Sequence, residues 1–273
     1  MKHYNKTFCI FLDLLGFSKI TLEQFSNNQT NVFEKLITVI DDFEKSHIEV
    51  DENRLNYFSV YSDSIIWIFS YNETSNNTSY PCEFDACMSK IDGDLFYLLI
   101  NLLENGFLFR GGISSGKTIV NRTSSNINGN TVYSENILFS ESLVKAAGME
   151  KKIKYPVLGL SDINLFSSLH HNGYGLRYVE QFQHTCKLSI VDPNISSNND
   201  FAFLDHLGLL INSFNDPDSP DFLFNFFTNH KILIEQNLTN SDSEIFRKYD
   251  FLKKYHNIKI QSLSRHFSSL LIV

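Results

Sequence analysis

Residues 7–13, Thr-Phe-Cys-Ile-Phe-Leu-Asp, form an unbroken apolar run that ends on an acid, three residues before Gly16. Such a run reads as a buried strand stopping at a glycine turn. A buried strand needs cover, and the next segment supplies it. Ile20, Leu22, Phe25, Phe33, Leu36, Ile37, Ile40 and Phe43 recur between 18 and 47 at spacings that suit one or two amphipathic helices.

The alternation continues down the chain. Residues 54–61 and 64–70 are β-rich runs separated by the polar pair Ser62-Asp63, the pattern of a tight hairpin with Asp63 at its tip. Residues 84–106 become helical toward Gly106, and 107–113 resume an extended pattern. The Asn/Ser/Thr/Gly-rich stretch 121–131 predicts a mobile loop, followed by a helix over 138–152 and a short strand near 156–160. A short helix near 162–170 and β-like runs at 175–180 and 186–191 come next. The order β-α-β-β-α-β-α-β predicts an α/β (α+β) fold: a ferredoxin-like βαββαβ core, its mixed sheet mainly antiparallel, with helices on one face. After a polar break at 194–200 the chain reads as helices near 203–214, 220–238 and 241–270. This divides it into a core, 1–192, and a C-terminal helical extension, 193–273.

Composition narrows the chemistry. The 273 residues carry a formal net charge of -8, which argues against a nucleic-acid backbone as partner, because that function shows as a basic face. An acidic chain can still take a nucleotide if metal ions and a few local cations neutralise its phosphates. The four cysteines form no CxxC pair and are expected to be reduced and mostly buried. The histidines show no HExxH spacing. No apolar stretch reaches the roughly 20 residues of a membrane helix, and Asp13 interrupts the N-terminal apolar run. The expected location is the cytoplasm, with no membrane association.

Asp13 and Asp63 are the candidate reactive pair. In a ferredoxin-like sheet the end of the first strand and the tip of the following hairpin lie side by side. Two carboxylates brought together there repel unless a cation joins them, and a carboxylate pair sharing two metals recurs in phosphoryl displacement. The plain alternative is that each Asp caps a turn. After Asp13, the N-H groups of Leu14, Leu15, Gly16, Phe17 and Ser18 lead into a helix, a place suited to phosphates.

These residues resemble the class III nucleotide cyclases. The family's Asp-Ile-x-Gly-Phe motif matches Asp13, Leu14, Gly16 and Phe17; its second metal Asp matches Asp63 in FSVYSDSIIW. Its Arg-x-Gly-Ile-x-x-Gly strand matches RGGISSG from Arg110 to Gly116, and its Val-Asn-x-Ala-x-Arg-x-Glu helix matches LVKAAGME from Leu143 to Glu150. The match spans about residues 7–160. The family's transition-state Asn and Arg fall on Val144 and Gly148, its purine-reading Lys on Ser59, and its adenine-reading Asp on Ile137. With these departures the chain looks most like the bacterial pyrimidine cyclases of Pycsar anti-phage systems.

The resemblance implies two divalent metal ions, Mn2+ or Mg2+, held by Asp13, Asp63 and the carbonyl of Leu14. It implies phosphates on Leu15 to Ser18, with Arg110 against the triphosphate, and Tyr57 and Ser59 facing the base. For Arg110 a surface ion pair, and for Tyr57 a place in the core, are the alternative readings. It further implies a homodimer with active sites at the interface, a CTP or UTP substrate, and a separate effector protein that senses the cyclic nucleotide. Two other classes compete. GGISSGKT, Gly111 to Thr118, fits the pattern GxxxxGK[ST] of a P-loop NTPase, although the residues after it are β-branched and then Asn-rich. A cyclase-like domain that binds nucleotide without turning it over is the third.

Overall fold

The computed structural model describes residues 1–48, 54–70, 90–127, 130–161, 185–195, 201–214, 220–239 and 242–273. Strand β1 (Lys2–Leu14) leads through the Leu15-Gly16 turn into helices α1 (Phe17–Ser26) and α2 (Asn31–His47). Hairpin strands β2 (Asn56–Tyr61) and β3 (Ser64–Ser70) follow, and Ser62 turns the corner with φ 56°. A π-helical turn (Lys90–Leu95) runs into α3 (Phe96–Glu104), and then come β4 (Phe109–Ile127), β5 (Asn130–Ser140), α4 (Glu141–Lys152) and β6 (Leu158–Leu160). Strands β7 (Thr185–Lys187) and β8 (Ala202–Leu204) precede α5 (His206–Phe214), α6 (Pro220–Leu238), α7 (Ser243–Ser262) and a final 3-10 turn (Arg265–Leu270).

Among the described residues eight strands form one sheet in the order β2-β3-β1-β4-β6-β8-β7, with β5 paired to β4 beyond the sheet. The segment β2-β3-β1-β4 is antiparallel throughout and has the strand order of a ferredoxin-like core. β6 adds parallel to β4, and β8 and β7 add antiparallel beyond it. Strand β8 lies past residue 193, and α5, α6 and α7 share one apolar cluster with β1, α2 and α3.

The sheet is covered on both sides, which corrects the expectation of helices on one face. On one side Phe8, Ile10, Leu12 and Leu14 of β1 meet α2 and α3 through Val39, Phe43, Leu98 and Leu102. On the other, Cys9 of β1, Ile68 of β3 and Val120 of β4 pack with Ala146 of α4. Small residues admit α4 there. A Cβ at Gly112 would run into the backbone of Ala146 and sit 2.8 Å from the Cβ of Met149, and one at Gly116 would lie 2.7 Å from the Ser142 nitrogen. Buried hydroxyls then fasten the helix: Thr7 bonds Thr118 at 2.8 Å and Ser142 at 3.0 Å, and Ser140 bonds Ser142 at 3.0 Å while capping α4 by accepting from the Leu143 N-H at 3.1 Å. The hydroxyls of Thr7, Thr118, Ser140 and Ser142 thereby each have a partner, as buried polar groups require.

Two other expectations change. The stretch 121–131 is largely β-ribbon: β4 runs to Ile127, which is paired across from Asn130 of β5. Of the β-like run 186–191 only its start is strand, since Leu188–Val191 is a helical turn. The readings at 84–89, 162–170 and 175–180 lie outside the described residues. Among the described cysteines, Cys9 and Cys186 are buried and form no disulfide, and burial pushes the Cys9 thiol far above its usual range. No helix among the described residues is long and apolar enough to cross a membrane.

Candidate active site

The site is built where β1 ends. In an antiparallel pair, cross-strand partners share a face. Asp13 is paired across from Ser64 on one side and Arg110 on the other, and Ser64 is paired in turn with Tyr61. One row of the sheet therefore reads Tyr61, Ser64, Asp13, Arg110. The next row inward is Ser59, Ile66, Phe11, Gly112, and Tyr57 lies one row further, across from Ile68. Tyr57, Ser59 and Tyr61 thus share a face by the period-2 rule, and the hydroxyls of Tyr57 and Tyr61 are 3.1 Å apart. Tyr61 belongs to this edge as much as Tyr57 does, and period 2 from Tyr57 is the signal that could have found it.

Asp63 reaches the same edge through its backbone. The Leu14 N-H donates to the Asp63 carbonyl at 2.7 Å, tying the hairpin tip to the end of β1. The Ser18 hydroxyl, from the first turn of α1, donates to Asp63 Oδ2 at 3.0 Å. On the other side the Arg110 Nε donates to Asp13 Oδ2 at 3.1 Å. Burial pushes the Asp13 carboxyl above its usual value, Arg110 pulls it back, and the charge of Asp63 pushes it up again. Lys248 of α7 adds a smaller downward pull, so the C-terminal helices contribute to the field at this carboxylate.

Helix α1 opens beside the two acids. Gly16 precedes it with φ 74°, a left-handed conformation that a side chain disfavours, and no side chain caps the helix. The Leu14 and Leu15 N-H groups are engaged by the carbonyls of Asp63 and Leu108, and the first bond of the helix runs from Ile20 back to Gly16. The N-H groups of Phe17, Ser18 and Lys19 therefore head the helix without an intrahelical partner, the arrangement that receives an anion.

The donor set suits a hard divalent cation taken up with a nucleotide. Mg2+ and Mn2+ are held by one or two carboxylates together with substrate phosphates, not by an all-protein cage. Asp13 and Asp63 are two carboxylates near enough for the charge of one to act on the other, and no group of three or more His, Cys, Asp or Glu disposed to hold a metal occurs among the described residues.

Glu150 is a residue that the sequence reading left without a role. Its Oε1 lies 2.6 Å from Arg110 Nε, and its side chain is only 10% exposed. Val144 is 73% exposed on α4, and a Cβ at Gly148 would meet nothing within 4 Å. Ile137 packs at the margin of the apolar cluster around Cys9 and Ala146. The segment Gly111–Thr118 lies inside the long strand β4, so it opens no helix and cannot act as a P-loop.

No known family profile matches the chain, and no curated protein matches it. Several solved structures do superimpose on it. A bacterial light-regulated adenylyl cyclase aligns over 86% of this chain and 99% of its own, with 12% identity and a TM-score of 0.40. The adenylyl cyclase CyaB from P. aeruginosa aligns over 75% and 95%, at 8% identity and TM-score 0.38. The guanylyl cyclase Cya2 aligns over 74% and 91%, at 12% and 0.37. At such values the functional reading rests on the residues themselves.

Proposed function

We propose that this chain is a metal-dependent nucleotide cyclase that converts CTP or UTP to its 3',5'-cyclic monophosphate and pyrophosphate. The observation that carries the reading is the meeting of Asp13, Asp63 and Arg110 at one sheet edge, beside the uncapped start of α1. Two divalent cations on Asp13, Asp63 and the Leu14 carbonyl would supply charge neutralisation at the phosphates and acidity at the ribose 3'-hydroxyl. The first-turn N-H groups of α1 hold phosphate oxygens. Arg110 offers its guanidinium to the charge that develops on the leaving pyrophosphate. The 3'-oxygen attacks the α-phosphorus in line, the bond to the β-phosphate oxygen breaks, and the hydroxyl proton passes to solvent. No protein nucleophile takes part.

Neutral hydroxyls at the base-facing edge favour a pyrimidine. Ser59 and Ile137 offer no charge to a purine, and the hydroxyls of Tyr57 and Tyr61 crowd the same face. The same face is consistent with a second copy seated on it as a homodimer: Phe11, Ile66 and Leu143 are only partly buried there. In this reading the product is an anti-phage signal for a separate effector protein. The test incubates the protein with each of the four ribonucleoside triphosphates and Mn2+ and separates the products by chromatography. A cyclic pyrimidine monophosphate, absent from Asp13→Asn and Asp63→Asn, is the expected result. Turnover of Asp63→Asn at the wild-type rate would overturn it.

A further inference from the structure

The stripe Ser142, Ala146, Glu150 on α4 has spacing i, i+4, i+8, so its members lie on one side of the helix. Opposite them on β4 are Gly116, Gly112 and Arg110, separated by even numbers of residues and therefore on one face of the sheet. Two glycines let the helix lie against the strand, and the third position ends the stripe on an ion pair. The Arg110 Nε is shared between Glu150 Oε1 at 2.6 Å and Asp13 Oδ2 at 3.1 Å. The side chains of Asp13, Arg110 and Glu150 are 20%, 28% and 10% exposed, so water screens this triad little.

We propose that Glu150 is a positioning residue that holds the Arg110 guanidinium in place while a cation takes over the Asp13 carboxylate, and this proposal rests on the cyclase reading. In the triad Arg110 neutralises Asp13 and competes with any cation for Oδ2. Without a second carboxylate, Arg110 released from Asp13 is a half-buried charge with no partner, and its release is costly. With Glu150 at 2.6 Å the guanidinium keeps an anionic partner throughout and stays at the Asp13 edge of the sheet. Glu150 acts through Arg110, as outer-shell carboxylates act through the ligands they orient.

The test is a double-variant cycle on Mn2+ binding by the full-length protein without nucleotide, followed calorimetrically and by the paramagnetic signal of free Mn2+. Glu150→Gln is expected to weaken Mn2+ binding about 10-fold, within the range for loss of an outer-shell partner. In the Arg110→Gln background the same change is expected to move it less than about 2-fold, because no guanidinium is left to hold, and the two effects then fail to add. If Glu150→Gln does not fold, Glu150→Asp keeps the charge and withdraws it by one methylene, and the same dependence on Arg110 is expected at about 3-fold. A Glu150 effect of equal size in both backgrounds would show a merely structural or through-space role and overturn the proposal alone. A wild-type protein with no Mn2+ site sensitive to Asp13→Asn would overturn the cyclase reading, and this proposal with it.

Discussion

The C-terminal helices bury three histidines, and acid should loosen them well before it reaches ordinary carboxylates. His230 and His256 stack with ring centroids 5.2 Å apart and their Nδ1 atoms 3.0 Å apart. The His256 Nε2 faces the Leu270 carbonyl at 3.0 Å and must donate to it, so its Nδ1 accepts from the Nδ1-H of His230. The His230 Nε2 is left buried without a hydrogen-bond partner. A proton added at the shared Nδ1 position would set two N-H groups against each other. Burial lowers the pKa of His206 and of His256 from 6.5 to about 4, and burial together with its histidine neighbours holds that of His230 well below its usual value.

Because the folded values are depressed, these histidines contribute stability that is complete above pH 6.5. As the pH falls toward 4 the unfolded chain takes up protons first, and that stability is lost. Between pH 7 and pH 5 the loss is about 2 kcal/mol for each of His206 and His256, at about 1.4 kcal/mol per pH unit below 6.5, and His230 adds in the same direction. This is a large share of the 5–15 kcal/mol that holds a typical domain together. Urea unfolding at pH 7, 6 and 5 measures it, with His206→Gln and the double variant His230→Gln/His256→Gln as controls that remove the titrating groups. The effect should reach the candidate site, because His206 packs edge-on against Phe109 at 5.5 Å, next to Arg110. A midpoint unchanged or rising from pH 7 to 5, or variants with the wild-type slope, would refute the reasoning.

Three further outcomes follow from the geometry around the sheet edge. Asp63→Asn removes a charge that pushes the Asp13 carboxyl up, so the Asp13 titration followed by carboxyl NMR should move to lower pH. Gly112→Ala places a methyl group against the Ala146 backbone and should cost about 1–3 kcal/mol in urea unfolding, because α4 has to lift from β4. Lys117 sits within strand β4, away from the Asp13 row, so Lys117→Ala should leave the rate of pyrophosphate release within about 2-fold of wild type, whereas a P-loop enzyme would lose it.

The parts of the site that local pattern can specify were readable in the sequence. The apolar run into Asp13, the polar pair Ser62-Asp63 between two β-rich segments, and the glycine before α1 each have a short-range physical cause, and each stands in the structure as an element end. What pattern could not give was the placement of α4. Its role depends on Gly112 and Gly116 leaving room on one face of β4, and only that contact turns Glu150 from a helix-end acid into the partner of Arg110. The β4-β5 ribbon was obscured for another reason. Its Asn, Ser and Thr content reads as loop, while the pairing of Ile127 with Asn130 around the sequence Asn128-Gly129 follows the strongest short-range hairpin signal. The start of the 186–191 run pairs with β8, and tertiary contact decided how little of it stayed extended.

The most direct measurement is an anomalous-scattering map from crystals grown with Mn2+ and a non-cyclisable CTP or UTP analogue. Manganese peaks are expected at the carboxylates of Asp13 and Asp63, with the Arg110 guanidinium turned from Asp13 to the triphosphate and still paired with Glu150. Manganese bound elsewhere, or Arg110 still paired to Asp13 with the nucleotide in place, would contradict it.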